Sequence, residues 1–571
     1  FSLLTEADAF APNKSGQPAI VRGSHRQSEL YRRLLHEDPD LRMPFERPAL
    51  SEKEVQLIAQ WIDEGAIWEQ HWAYQPPATD IAVPAQHGRD RAINEIDHFV
   101  FRQQELRGLS PNEPADSIDL IRRLYLDLTG LPPHFTQVEN YLQDNTPNAY
   151  EKVVDQLLDS PFFGERWASM WLDLARYADT KGYEKDSYRS IWSYRDWVVQ
   201  AFNEDMPFDQ FTIEQLAGDL LPSPTHEQRI ATAYHRNAIA NDEGGTNNEQ
   251  FRMASIIERV GNTYEVWMGS TFACVQCHSH PYDPFRQEEF YQSMAYFNNT
   301  SDGDLYNDKP KLYHYAPQHE VEVKAITDWL KAQLPEASAR AVNTTYAEES
   351  TEQDTYAESR ALLHQLGYRM VEAEEFDLNS QLIELSNPQM DMIWQVQDSS
   401  WVMYEDVDLT EVGAIAVRVA TQLEKAGHIS LHLDSINGSH LGNVEIRKTG
   451  EWKSWQWARP TTDKLFKVFR TAIPPIKGKR DLYLRFHAGD TYIQHLYYID
   501  QLFYEMNTAV PADRPEVRRR IEQLLAVPTI ATPIQLERPT HRRRRTHFLD
   551  RGSWLSPKQE VNTKLPAVLE A

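Results

Sequence analysis

Both cysteines of the 571-residue chain lie in one stretch, FACVQCHSHPYDPF, residues 272–285. They are three apart, and a histidine follows at once. Two thiols cannot build a disulfide framework, so packing must hold the fold while Cys274, Cys277 and His278 are presented together. Two thiols at this spacing can each add to one vinyl group of the same porphyrin. The next residue then projects its imidazole at the iron from the proximal side. The spacing points to haem c, with His278 as a ligand of the haem iron. Two other readings stand beside it. A zinc site needs two more nitrogen or sulfur ligands, and no second cysteine pair exists. A redox dithiol belongs in a βαβ context, whereas the residues before Phe272, EQFRMASIIERVGNTYEVWMG, have a helical pattern.

The formal net charge is −27. Nucleic acids and anionic membranes both need a basic field, so neither is an expected partner. The one basic run, HRRRRTH at 541–547, reads as a solvated segment or an interdomain contact. No apolar run approaches the roughly 18 residues that span a bilayer. The chain opens at FSLLTEADAF, without Met or a basic leader. A mature or truncated product of an exported protein is expected, periplasmic or extracellular, with its signal peptide outside this chain.

Residues 1–75 end in a punctuated helix, LSEKEVQLIAQWIDEGAIW. Ser51 and Glu54 make a capping box, Val55, Ile58 and Ile62 an apolar stripe, and Gly65 a stop. HWAYQPPATDIAVPAQHG, residues 71–88, reads as a linker by its prolines. Residues 90–330 are mostly helical. In DSIDLIRRLYLDLTGLPP, Ile118, Ile121, Leu124, Tyr125 and Leu128 share one face, and Gly130 with Pro132–Pro133 ends the run. FGERWASMWLDLARYAD repeats the pattern with Trp167, Met170, Trp171, Leu174 and Tyr177. Residues 331–366 are acidic and read as a connector, partly helical at most. From 367 to 506 the period changes to two, in GAIAVRVAT, HISLHLDS, NVEIRK and RDLYLRFHAG. That predicts a β-sandwich. The expected class is multidomain α plus β, with helical c-type haem domains followed by an all-β jelly-roll sandwich.

Around the thiols, His280 and Asp283 of HPYDP are candidate acid–base groups; a turn held by Asp283 and stiffened by Pro281 and Pro284 is the alternative. RNAIANDEGGTNNEQFR offers Asp242 and Glu243 as further candidates. Its Arg236 and Arg252 are candidate partners of haem propionates. His235, Met253, Met268 and Met294 are candidates for the sixth iron ligand.

Several blocks together resemble a planctomycete cytochrome-associated module of unknown function. They are NEIDHFVFRQQELRGLSPNEPADSIDLIRRLYLDLTGLPP, AYEKVVDQLLDSPFFGERWASMWLDLARYADTKGYE, YRDWVVQAFNEDMPFDQFTIEQLAGDLLP and HRNAIANDEGGTNNEQFR. The module ends in CxxCH followed by H-x-(Y/F)-D-P, as at 274–284. Residues 15–74 are similar to the closing half of a planctomycete-type cytochrome c domain. The resemblance implies that Met43 ligates the iron of an upstream haem. THFLDRGSW is similar to the opening of a partner domain, so 507–571 is expected to start a further domain.

The third segment resembles carbohydrate-binding module family 6, through VEAEEF, SSWVMYEDVDL, IAVRVAT, ISLHLDS, GNVEIRKTGEWKSW, RDLYLRF and YYIDQLFYE. Glu372 and Glu374, two apart, share one strand face. The resemblance adds Asp500 and implies a structural Ca2+, which favours carboxylate oxygens. It also implies a ligand cleft in the loops near Trp394, Trp452 and Trp455, where flat rings stack on a pyranose. His495 or Gln494 stands where the family carries an asparagine. The expected partners are a polysaccharide or oligosaccharide and a redox partner protein. The leading expectation is an exported electron-transfer protein held on polysaccharide. A haem-dependent enzyme acting on carbohydrate by oxidation or hydrolysis, or a surface scaffold carrying haem, are the alternatives.

Overall fold

The computed structural model describes residues 6–12, 16–45, 47–68, 71–84, 91–241, 247–303, 308–334, 355–373, 376–380, 384–385, 393–394, 396–450, 465–489, 498–506, 515–525, 527 and 529–570. The chain divides into two compact units. One comprises Phe1–Glu113, Cys274–Phe290 and Lys564–Ala571, and the other Pro114–Ala273 and Tyr291–Thr563.

In the first unit, the helix Glu52–Asp63 begins at Ser51, whose side chain accepts from the Glu54 amide while Glu54 reaches back. That closes two of the orphan donors every helix start leaves. Val55 and Ile62 are buried with Ala9, Ile20, Leu30, Leu34 and Ala66, and Met43 packs against this cluster.

The second unit starts with helices Ser117–Thr129, Phe135–Gln143, Ala149–Leu158 and Pro161–Leu174. Asp116 caps the first, and Gly130 ends it at φ 71°, a left-handed conformation that costs glycine little. The predicted stripe holds for Ile121 and Tyr125, but Ile118 is 55% exposed. It sits in the first turn, which the neighbouring helices do not cover. Trp171, Tyr194, Trp197, Phe211 and Tyr234 form an aromatic core shared by helices Trp192–Asn203 and Phe208–Ala217. The long helix Asn248–Met268 completes this part.

The strands, in chain order, are β1 (Lys311–Tyr315), β2 (Tyr368–Glu372), β3 (Leu378–Asn379), β4 (Glu384–Leu385), β5 (Ile393–Trp394), β6 (Trp401–Asp408), β7 (Val412–Ala420), β8 (Lys425–Leu433), β9 (His440–Arg447), β10 (Lys467–Ala472), β11 (Lys479–His487), β12 (Tyr498–Met506) and β13 (Thr529–Pro533). One sheet runs β10-β7-β12-β5-β4, with β2 also on β12; the facing sheet runs β3-β6-β11-β8-β9. Their inner faces meet in a core that includes Ile415, Val417, Ile429, Leu431, Leu482, Leu484, Phe486 and Leu502. Alternate residues of each strand face inward, as the period-two pattern requires. The class is multidomain α plus β, with a jelly-roll sandwich.

Two sequence expectations change. Residues 331–366 were expected to be a connector, partly helical; Thr355–Gln365 is that helix, and it does more than connect, because its Leu362 and Leu363 are buried with Met370, Ala416 and Phe503 of the sandwich. Residues 507–571 were expected to open a further domain. Instead β13 pairs antiparallel with β1, from Lys311↔Pro533 to Tyr315↔Thr529. That ladder satisfies main-chain groups on both sides, so the chain returns to the unit it left.

Candidate functional site

The approach to the thiols is built by packing. Phe272 is fully buried, and its ring lies on Tyr264 of the long helix at 3.9 Å between centroids. Gly261, three residues earlier on that helix, faces Ala273. A Cβ added there would stand 2.9 Å from the Ala273 Cβ. The glycine therefore permits the close approach that fixes the residue before Cys274. Phe272–Gln276 then forms a short 3-10 turn. Val275 points inward, while Cys274, Cys277 and His278 are exposed. Neither cysteine is in a disulfide.

His278 Nδ1 lies 2.8 Å from the Ser279 carbonyl oxygen. A carbonyl accepts only, so Nδ1 carries the proton and Nε2 keeps its lone pair. That is the tautomer an axial imidazole needs, oriented by a backbone acceptor. Two outward thiols and this imidazole fit covalent haem. Among the described residues, no group of three or more His, Cys, Asp or Glu is arranged to hold a metal ion by itself.

The HPYDPF segment after His278 is a closed turn. His280 Nδ1 accepts from the Asp283 amide at 2.7 Å and more weakly from the Tyr282 amide at 3.3 Å. The His280 amide donates to the Phe285 carbonyl. His280 is only 6% exposed. The His280 ring is thus used to shape the turn, through the Asp283 main-chain amide rather than its carboxyl. Asp283 also faces His71, 3.8 Å away, and the Tyr74 ring meets Phe285 edge-on at 5.4 Å. His71 and Tyr74 had been expected in a linker. Their prolines mask the signal, because only the spacing of HWAY hints that aromatic rings gather there.

The remaining predicted residues are dispersed. Met43 sits in the first unit, with its amide bonded to the Arg33 carbonyl. His235, Met253, Met268 and Met294 belong to the second unit, and His235 and Met294 are almost fully buried. Arg236 and Arg252 were expected to pair propionates. In the structure Arg236 donates to the carbonyls of Asp308, Pro310 and Ile534. Arg252 is held by Glu249 and Asn298. Burial pushes the Arg236 guanidinium down to about 10, against the pull of Asp302 and Asp308. These groups serve internal structure. Asp242, Glu243, Glu374, Trp452, Trp455 and His495 lie outside the described residues. For Glu372, Trp394 and Asp500 the description stops at the strand backbone.

The sequence reading did not single out a second cluster, in the second unit. Asp308 lies 3.3 Å from Lys181 Nζ, 3.3 Å from Arg189 Nε and 3.7 Å from Arg236 Nη2. Asp302 takes both terminal nitrogens of Arg259, at 2.8 and 3.1 Å. Burial opposes ionisation of both carboxyls. The neighbouring cations outweigh it and hold both well below the usual carboxylate range. A signal did exist: Arg252 and Arg259 are seven apart on one helix and so share a face. The basic run belongs to the same unit. Arg542 bonds Asp406 and Asp481 of the sandwich, and Arg544 donates to the Thr300 and Asp302 carbonyls. The interdomain-contact reading of that run accounts for these bonds.

Comparison with known proteins follows the same division. Residues 95–302 match the family described as a protein of unknown function (DUF1549). Residues 372–503 match carbohydrate binding module family 6, and residues 1–46 match Planctomycete cytochrome C. Among solved structures, a family 6 module from Clostridium cellulolyticum in complex with xylose is 24% identical. The match covers 24% of this chain and 98% of that one, with a TM-score of 0.20. A β-1,3-glucan-binding family 6 module from Bacillus halodurans is 26% identical over 24% of this chain and 94% of that one, also at 0.20. No helix among the described residues is long and apolar enough to cross a membrane.

Proposed function

We propose that this chain is an exported c-type haem protein that transfers electrons and is held on polysaccharide by its sandwich. One observation carries the haem part: two exposed thiols flank a turn beside His278, whose Nδ1 is committed to the Ser279 carbonyl. The haem, once attached through Cys274 and Cys277, supplies a one-electron couple at iron. The chain's own contribution is positional. Val275 anchors the turn, Ser279 fixes the ring of His278, and the turn closed by His280 sets the exit of the chain. Met43 is assigned to a first haem bound upstream, and it already sits in a packed apolar cluster. The match over residues 372–503 supports a carbohydrate partner, with Trp394, Trp452, Trp455 and His495 as the contacting residues and Ca2+ at Glu372, Glu374 and Asp500. Matches to a cytochrome segment and to a carbohydrate module in one chain support export.

The test is the protein produced with an intact cytochrome maturation system. Haem that survives denaturing electrophoresis, and is lost in the Cys274→Ser/Cys277→Ser variant, is expected. Protein without covalent haem overturns the reading. A reduced spectrum unchanged by carbon monoxide is expected for electron transfer, and CO binding would favour catalysis at iron instead. Retardation in gels containing xylan or β-1,3-glucan, abolished by Trp452→Ala, tests the sandwich. EDTA lowering its melting temperature tests the calcium.

A further inference from the structure

Among the described residues Trp72 is the only exposed tryptophan, at 82%, and Tyr282 is the most exposed tyrosine, at 86% against 49% for Tyr296. Single exposed rings are ordinary. These two, however, share a place. Both belong to the unit that carries Cys274, Cys277 and His278, and both are fastened to the same turn.

Trp72 opens the 3-10 turn Trp72–Tyr74, and His71 caps it by accepting from the Ala73 amide through Nδ1 at 3.3 Å. The indole lies nearly parallel to the His71 ring, 22° apart with centroids at 6.1 Å. His71 and Tyr74 tie this turn to the residues that follow CxxCH. His71 stands 3.8 Å from Asp283, and Tyr74 meets the buried Phe285 edge-on at 5.4 Å. With Nδ1 accepting, the His71 proton sits on Nε2, which faces the Asp283 carboxylate. The ring therefore keeps no lone pair for iron, and its part is to hold Trp72 in position. Tyr282 stands in the same segment, next to Asp283, with its amide donating to His280 Nδ1. It is four residues from His278, and four residues reach at most about 14 Å. Its Cα is thus within a porphyrin's breadth of the imidazole assigned to the iron.

Cys274, Cys277 and His278 are exposed, so a macrocycle attached there starts from the surface of the unit. A porphyrin is a broad apolar plane, and apolar area left in water is unfavourable in proportion to its size. Indole and phenol rings stack on such a plane or meet it edge-on. We propose that Trp72 and Tyr282 cover the haem carried by Cys274 and Cys277, so that residues 71–74 belong to the haem site. This rests on the haem reading above and adds to it the rings that shield the macrocycle.

The test compares the full chain, produced with a cytochrome maturation system, with its Cys274→Ser/Cys277→Ser variant, which carries no covalent haem. Both are exposed to hydroxyl radicals, and oxidation of each ring is read by peptide mass spectrometry. Trp72 and Tyr282 are expected to be oxidised several-fold more slowly in the haem-bearing chain. Phe135 and Phe208, exposed in the other unit, are expected to be oxidised equally in the two. Circular dichroism in the Soret band gives a second reading. Trp72→Ala and Tyr282→Ala are expected to lower its amplitude at unchanged covalent haem content, and Trp72→Phe to retain it. Covalent haem in the wild-type chain, with equal oxidation of both rings in the two proteins, overturns this proposal and leaves the haem reading standing. So does a Soret signal unchanged in both alanine variants. A wild-type chain without covalent haem overturns both.

Discussion

Replacing Asp308 by Asn tests how the buried charge cluster holds the second unit together. The carboxylate is shared by Lys181 at 3.3 Å, Arg189 at 3.3 Å and Arg236 at 3.7 Å, all inside the protein. Asparagine keeps the volume and a carbonyl oxygen but removes the charge. Breaking a buried pair by deleting one partner costs about 3–5 kcal/mol, because the other charge is left uncompensated. Here three cations lose one counter-charge, so the upper end of that range is expected. Against a total of about 5–15 kcal/mol, that removes a large share of the stability. Urea unfolding followed by tryptophan fluorescence reads it directly, as a fall in midpoint at unchanged slope. Adding Lys181→Met to Asp308→Asn removes one of the buried cations and is expected to restore part of the loss. The same carboxyl sets an acid limit. Its folded-state pKa lies below the unfolded value near 4, so its contribution is complete above about pH 4 and is lost as pH falls below that. A loss under about 1 kcal/mol for Asp308→Asn, or a double variant no more stable than the single, refutes the reasoning.

Three further outcomes are expected. Gly261→Val drives a side chain into Ala273 and costs about 1–3 kcal/mol by overpacking; adding Ala273→Gly restores part of it, and covalent haem yield falls and recovers in parallel. Arg542→Ala leaves Glu405, Asp406 and Asp481 without their shared cation; the loss is about 1 kcal/mol, shrinks in salt, and shows in urea midpoints at two ionic strengths. Burial, and then a neighbouring cationic group, hold His314 at about 4 and His235 at about 3. The unfolded chain therefore takes up protons that the folded one refuses, and stability falls as pH drops from about 6.5 toward 4, by at most about 1.4 kcal/mol per pH unit for each group; His314→Gln is expected to flatten that slope, read from urea titrations across the window.

What could be read from the sequence follows from how far each signal reaches along the chain. The Ser51–Glu54 box and the Gly130 stop are settled within a few residues, and the structure builds them as expected. The sandwich was legible for a related reason: alternation along each strand reports which face is inward without naming the partner strand. Features that depend on distant partners were not legible. Nothing local in Thr529–Pro533 announces that it completes a ladder with Lys311–Tyr315, and HRRRRTH alone leaves a solvated segment and an interdomain contact equally open until Asp406 and Asp481 are brought beside it. The same limit divides the candidate site. CxxCH states its chemistry locally, and its presentation needs only Val275 turned inward and Gly261 out of the way. The role expected of Arg236 and Arg252 depended on what lies opposite them, and there the structure places Asp308, Pro310, Ile534, Glu249 and Asn298. Arginines that are costly to bury and yet buried are positioned by the whole second unit. The cluster around Asp308 is therefore a property of the assembled fold, and the Asp308→Asn measurement tests how its charge is held.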